Sequence, residues 1–182
     1  MVTFYHRRLP HWHPPGQDIF LTWRLHGSLP RRILPPKEGA SPAESFVHMD
    51  RVLDRARNGP LWLKDARIAE CVLSAITEAQ QRKMFIARAY ALMANHVHIL
   101  LTPIVPLEQI THQVKGSSAR RANLVLSRTG APFWQDESYD HWVRDTAEFL
   151  KIRTYIERNP VTAGLVQSPE QWPWSSASHP IE

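Results

Sequence analysis

The sequence predicts an α+β fold in which helices cover one face of an antiparallel sheet, and three observations carry that reading. The runs Met84–Leu92 and His96–Leu101 have strand length and are separated only by Met93-Ala94-Asn95. Helical apolar spacing occurs before and after them. No segment repeats another, and 182 residues suit one core rather than two.

Taken in order, residues 1–18 are rich in His and Pro and form an N-terminal arm, so the domain proper is residues 19–182. Ile19–Leu25 is a β-favouring run closed by Gly27-Ser28-Leu29-Pro30, the first strand. After a Pro-rich loop from Pro35 to Pro42, Ala43–Arg57 reads as a helix stopped by Asn58-Gly59-Pro60. Asp65 opens a second helix whose stripe is Ile68, Val72, Ile76 and Ala79. The two strands Met84–Leu92 and His96–Leu101 follow, the latter ending at Thr102-Pro103. Leu107 to about Ser127 is a basic helix ended by Gly130-Ala131-Pro132. Phe133–Trp142 reads as aromatic and irregular. Asp145, with Glu148 three residues on, starts a last helix carrying Phe149, Ile152 and Ile156, which Pro160 should terminate. A Trp-rich tail packs back on the domain.

Composition narrows the function classes. Hydrophobic residues at 43%, with seven Trp, six Phe and four Tyr, exclude a disordered chain. Apolar stretches such as Val97–Leu101 fall far short of the roughly 18 residues that span a bilayer. The start lacks an apolar core after its basic residues, so a cytoplasmic protein is expected. The single cysteine, Cys71, excludes an internal disulfide or a multi-cysteine zinc cage and reads as packing. A net charge of +5 favours an anionic partner. No acid lies between Glu108 and Asp136, where Lys115, Arg120, Arg121 and Arg128 fall, and Arg7 and Arg8 add a second basic segment. Both are candidates to face phosphates, against the plainer reading of solvated basic faces.

In a strand, residues two apart point to one side, so His96 and His98 present two imidazoles together while Val97, Ile99 and Leu101 enter the opposite layer. Two imidazoles suit a divalent ion but leave it open to further donors. Tyr155 and Asn159, four apart, share one face of a helix, bringing a phenol and an amide to one point. Taken singly, Tyr155 reads equally as a half-buried core residue and Asn159 as a helix cap.

Together these residues resemble a known family. Asn95-His96-Val97-His98-Ile99-Leu100-Leu101 is similar to the histidine-hydrophobic-histidine (HUH) strand of the single-tyrosine transposases, and Tyr155-Ile156-Glu157-Arg158-Asn159-Pro160-Val161 to their tyrosine helix. Phe133-Trp134-Gln135, Tyr139–Asp145 and Trp172-Pro173-Trp174-Ser175-Ser176 resemble the REP-associated tyrosine transposases (RAYT) within that superfamily. Ala94 stands where a Pro often precedes the Asn.

This resemblance implies a ferredoxin-like or RRM-like sheet, Tyr155 as nucleophile, and Mg²⁺ or Mn²⁺ held by His96, His98 and Asn159. The implied reaction nicks and rejoins single-stranded DNA beside REP-type hairpins through a 5′-phosphotyrosine, the ion acting as Lewis acid on the scissile phosphate. Lys115, Arg120 and Arg121, with Arg7 and Arg8, are the implied DNA contacts. A monomer is favoured over a homodimer, acting at the bacterial nucleoid. Tyr139 is a rival nucleophile. Three other readings stay open: a catalytically silent hairpin-DNA regulator, a metal-dependent phosphodiesterase that uses water, and structural zinc on His96, His98 and His112.

Overall fold

The computed structural model describes residues 16–29, 41–55 and 59–179, so Arg7 and Arg8 lie outside the described residues. The elements are β1 (Ile19–Leu25), α1 (Pro42–Asp54), α2 (Ala66–Gln81), β2 (Phe85–Leu92), β3 (His96–Pro103), α3 (Leu107–Val125), β4 (Trp134–Trp142) and α4 (Thr146–Thr162). The strands form one sheet in the order β2-β3-β1-β4, antiparallel throughout. β3 is therefore internal, paired on both edges.

Helices lie on both faces of this sheet, not on one. Ile19, Leu21, Trp23 and Leu25 of β1 join Val97, Ile99 and Leu101 of β3 in a core with Ile68, Val72 and Ile76 of α2 and Ile110 and Val114 of α3. The opposite parity supplies a second, smaller core where a single one was expected: Phe20 and Leu100 pack with Phe46 of α1 and Ile156 of α4. The one-sided expectation fails because Ala89, Ala91 and Leu100 are apolar on the second face too, and an apolar face must be covered. A register shift between Ala87 and Ala89 changes the parity of β2, so Phe85 and Ala87 serve the first core and Ala89 and Ala91 the second.

Two local expectations are corrected. The segment read as irregular is strand β4, paired with β1 from Ile19↔Trp142 to Leu25↔Trp134. Only Trp134 within it is buried, and an edge strand half open to water needs no apolar alternation; Asp136, Glu137 and Asp140 charge that edge. Pro160 lies inside α4, which continues to Thr162. Two residues from the helix end, it removes one hydrogen bond and leaves the last turn closed by Ala163 N–H donating to Asn159 O at 2.9 Å. Cys71 packs beside the larger core as expected. The tail crosses the β2 edge, with Ser175 bridging to Ala91 and Trp172 Nε1 donating to Leu92 O at 2.9 Å.

Candidate active site

His96 and His98 occupy the α1/α4 side of β3, fully buried. Each imidazole is oriented by its Nδ1. In His96 that atom meets Asn95 Oδ1 at 2.7 Å, and because an amide oxygen only accepts, Nδ1 carries the proton and Nε2 keeps its lone pair. In His98, Nδ1 meets Thr22 Oγ1 at 2.7 Å, Thr22 being its cross-strand partner on β1. The two Nε2 atoms are thereby aimed at each other, 3.0 Å apart.

A carboxylate completes the cluster. Asp50 of α1, 1% exposed, places Oδ1 3.4 Å from His96 Nε2 and 3.3 Å from His98 Nε2. Its Oδ2 accepts the Tyr155 hydroxyl and, at 3.3 Å, the Asn159 Nδ2–H. Asn159, also buried, approaches His98 Nε2 at 3.2 Å through the same nitrogen. Asp54, one turn beyond Asp50, puts Oδ1 3.7 Å from His96 Nε2. Tyr155 and Asn159 thus do converge from one helical face, on the histidine pair.

Charge in this pocket is unbalanced. Burial pushes His96 down to about 3, so its imidazole is neutral. Burial also works to raise the Asp50 carboxyl, but His98, His96 and the Tyr155 hydroxyl outweigh it and hold it below the usual carboxylate range. Asp54 is raised to about 7 by burial and by Asp50. Burial, then the Asp50 charge and hydrogen bond, push the Tyr155 phenol above its ordinary value. Asp50 Oδ1, Asp54 Oδ1 and Asn159 Oδ1 are buried without a hydrogen-bond partner. Acceptors crowding one point with too few protons between them fit a divalent cation, and Asp50, His96 and His98 offer it ligand atoms within 4.8 Å of one another. A half-turn of the Asn159 amide exchanges Nδ2 for Oδ1 and adds a neutral oxygen donor.

The other sequence candidates fall elsewhere. Lys115 is largely buried, its ammonium donating to Gln135 O at 2.8 Å and Asp136 O at 2.9 Å, which ties α3 to β4. Arg121 holds Glu78 of α2 with two bonds of 2.8 and 2.7 Å, while Arg120 is exposed. Tyr139 stacks on Phe46, ring centroids 4.1 Å apart, on the same side of the sheet. His112 is exposed on α3, whose buried face packs in the first core, across the sheet from the histidine pair. Asp50 escaped the sequence reading, yet Phe46, Asp50 and Leu53 recur at helical spacing, and an acid inside an apolar stripe is the signal that marks it.

Against known proteins, the family described as "Transposase IS200 like" matches residues 57–159, more than half the chain and inclusive of His96, His98, Tyr155 and Asn159. No curated protein sequence matches. A solved structure of a REP-associated tyrosine transposase bound to a REP hairpin aligns with all of this chain and 88% of its own, with a TM-score of 0.63 and 17% identity. That likeness shows the fold. A proposed transposase from Deinococcus radiodurans R1 aligns over 84% of this chain and 97% of its own at 16% identity and a TM-score of 0.46.

Proposed function

Because the chain belongs to the IS200-like transposase family, we propose that it is a metal-dependent single-stranded DNA transesterase that nicks and rejoins strands beside REP-type hairpins. The observation that carries this reading is the meeting of Tyr155, Asn159, His96 and His98 at one point, the residues that the sequence pattern singles out. His96, His98 and Asn159 would hold Mg²⁺ or Mn²⁺, and in the DNA-free chain Asp50 adds a carboxylate beside the two imidazoles. When bound, the ion supplies Lewis acidity toward a non-bridging phosphate oxygen.

The chain's own residues do the rest. Asn95 and Thr22 fix the imidazole orientations through Nδ1. Tyr155 Oη attacks phosphorus, the bond to the 3′ oxygen breaks, and that oxygen leaves as a 3′-hydroxyl once protonated. The phenol passes its proton to a base or to water during attack, since a neutral phenol is a weak nucleophile, and the leaving 3′ oxygen takes one back from solvent. The 5′-phosphotyrosine keeps the phosphoester linkage, so reversal with another 3′-hydroxyl rejoins DNA without a nucleotide cofactor. Exposed Arg120, with Arg7 and Arg8 of the arm, neutralises flanking phosphates; Lys115 and Arg121, engaged within the protein, support the α3 surface more than they contact DNA. The protein works as a monomer in the cytoplasm, at the nucleoid. Among the described residues no helix is long and apolar enough to cross a membrane.

The test incubates wild type and Tyr155→Phe with labelled hairpin DNA bearing single-stranded flanks, plus Mn²⁺. A protein-linked label formed by wild type, and lost in Tyr155→Phe and His96→Ala, is the expected result. Cleavage without an adduct in either protein would show a water-using phosphodiesterase instead, and tight binding without cleavage a hairpin-binding regulator.

A further inference from the structure

The groups assigned to the ion are out of reach of any polymer, although Tyr155 beside them is only part-buried. His96 and His98 are fully buried, Asp50 is 1% exposed and Asn159 2%. What covers them is α1. Its underside places Phe46 on Tyr139 and against Phe20 and Tyr155, receives the Asn95 Nδ2–H on Leu53 O at 3.1 Å, and drives Asp50 between the two histidines and the tyrosine.

The position of the Asp50 carboxylate has a chemical meaning. A phosphodiester under attack must present a charged oxygen at the His96/His98 Nε2 corner and its phosphorus to Tyr155 Oη. Asp50 spans these same two places, Oδ1 at the Nε2 corner and Oδ2 on the phenol. We propose that α1 is a displaceable cover, with the Asp50 carboxylate standing in for the scissile phosphate until DNA takes its place. The inference rests on the transesterase reading above. One anion replaces another at an unchanged site, no bond is made or broken, and the phenol is released from Asp50 in the same movement.

The cover is also held imperfectly. Asp50 Oδ1 and Asp54 Oδ1 are both buried without a hydrogen-bond partner, so α1 brings two carboxylates into one pocket with too few donors to receive them. A divalent cation answers that deficit and tightens α1. A phosphodiester competing for the same place loosens it.

Hydrogen exchange on the full chain reads this directly. In Tyr155→Phe, which cannot cleave, protection of residues 42–54 should rise with Mn²⁺ alone and fall at least tenfold when hairpin DNA with single-stranded flanks is added, while α2 stays unchanged. As a second arm, Phe46→Ala, checked for folding by its near-ultraviolet spectrum, should expose α1 without DNA and form the adduct several-fold faster than wild type. Unchanged or increased protection of α1 in the DNA complex would overturn the cover, as would a folded Phe46→Ala protein no faster than wild type. The adduct in wild type tests the underlying reaction separately: if it forms while α1 stays protected, the cover fails and the transesterase stands; if no adduct forms, both fail.

Discussion

Replacing Asn95 with Ala should weaken metal binding without removing any ligand. Asn95 is 1% exposed and does two things: its Oδ1 receives His96 Nδ1–H at 2.7 Å, and its Nδ2 donates to Leu53 O of α1 at 3.1 Å. Losing the first frees the His96 ring to turn and lowers the basicity of Nε2, and groups that orient metal-binding histidines typically contribute about 10–100-fold in affinity. Losing the second leaves a buried carbonyl unpaired. Each orphaned buried partner costs about 1–3 kcal/mol, so the two together cost about 2–6 kcal/mol. For a chain of this size that is a fall of about 4–24 °C in melting temperature. The two effects separate in Asn95→Asp, whose carboxylate still accepts from His96 but cannot donate to Leu53 O. It should keep most of the metal affinity and lose the contact to α1. Titration with Mn²⁺ followed by electron paramagnetic resonance gives the affinities, and thermal melts of the metal-free proteins give the stabilities. If Asn95→Ala binds Mn²⁺ within twofold of wild type, the tautomer argument for His96 is wrong.

Further outcomes follow from the same structure. Mn²⁺ at about a hundred times its dissociation constant should stabilise the protein by about 2.7 kcal/mol, an increment absent in His98→Ala, and a chelator should leave the protein folded because the larger core is apolar and lies across the sheet from the site. Asp54 has a folded value of about 7 against an ordinary 3.8, so its ionisation opposes folding; stability is lost as pH rises from about 4 to 7 and stays lost above. Asp54→Asn should therefore stabilise the metal-free protein by about 2–4 kcal/mol at pH 8 and leave it unchanged at pH 3, read from urea melts. Lys115→Ala should destabilise by about 1–3 kcal/mol, through the lost bonds to Gln135 O and Asp136 O, while leaving the salt dependence of DNA binding intact. Arg120→Ala should do the reverse, lowering the slope of log affinity against log salt by about one contact.

What the sequence made legible depended on whether the signal was local. β1 matches its expected bounds because a β-favouring run ends in Gly27-Ser28, and α2 begins where Asp65 accepts from Arg67 N–H at 3.0 Å, a cap written in consecutive residues. The histidine pair is legible for the same reason, since strand parity alone sets His96 and His98 side by side. β4 hides because an edge strand's stability comes from pairing with β1, which no pattern within Trp134–Trp142 records. Pro160 misleads because its fixed φ is itself helical, so its cost is a bond and a close approach in the preceding turn, and α4 still runs two residues further.

Asp50 is the instructive omission. Its importance lies in contacts 46 residues away with His96 and 105 away with Tyr155, so it appears in sequence only as an acid on the apolar stripe of Phe46 and Leu53. On that stripe an acid is costly unless something cationic or proton-donating meets it. In this chain the Tyr155 hydroxyl is one such partner, and the unpaired acceptors around Asp50 fit a divalent ion as another. The buried acid on α1 and the histidines on β3 are thus halves of one electrostatic arrangement. A search for acids on the apolar stripe of an amphipathic helix, made alongside the search for paired histidines on a strand, would have found both halves before any fold was in hand.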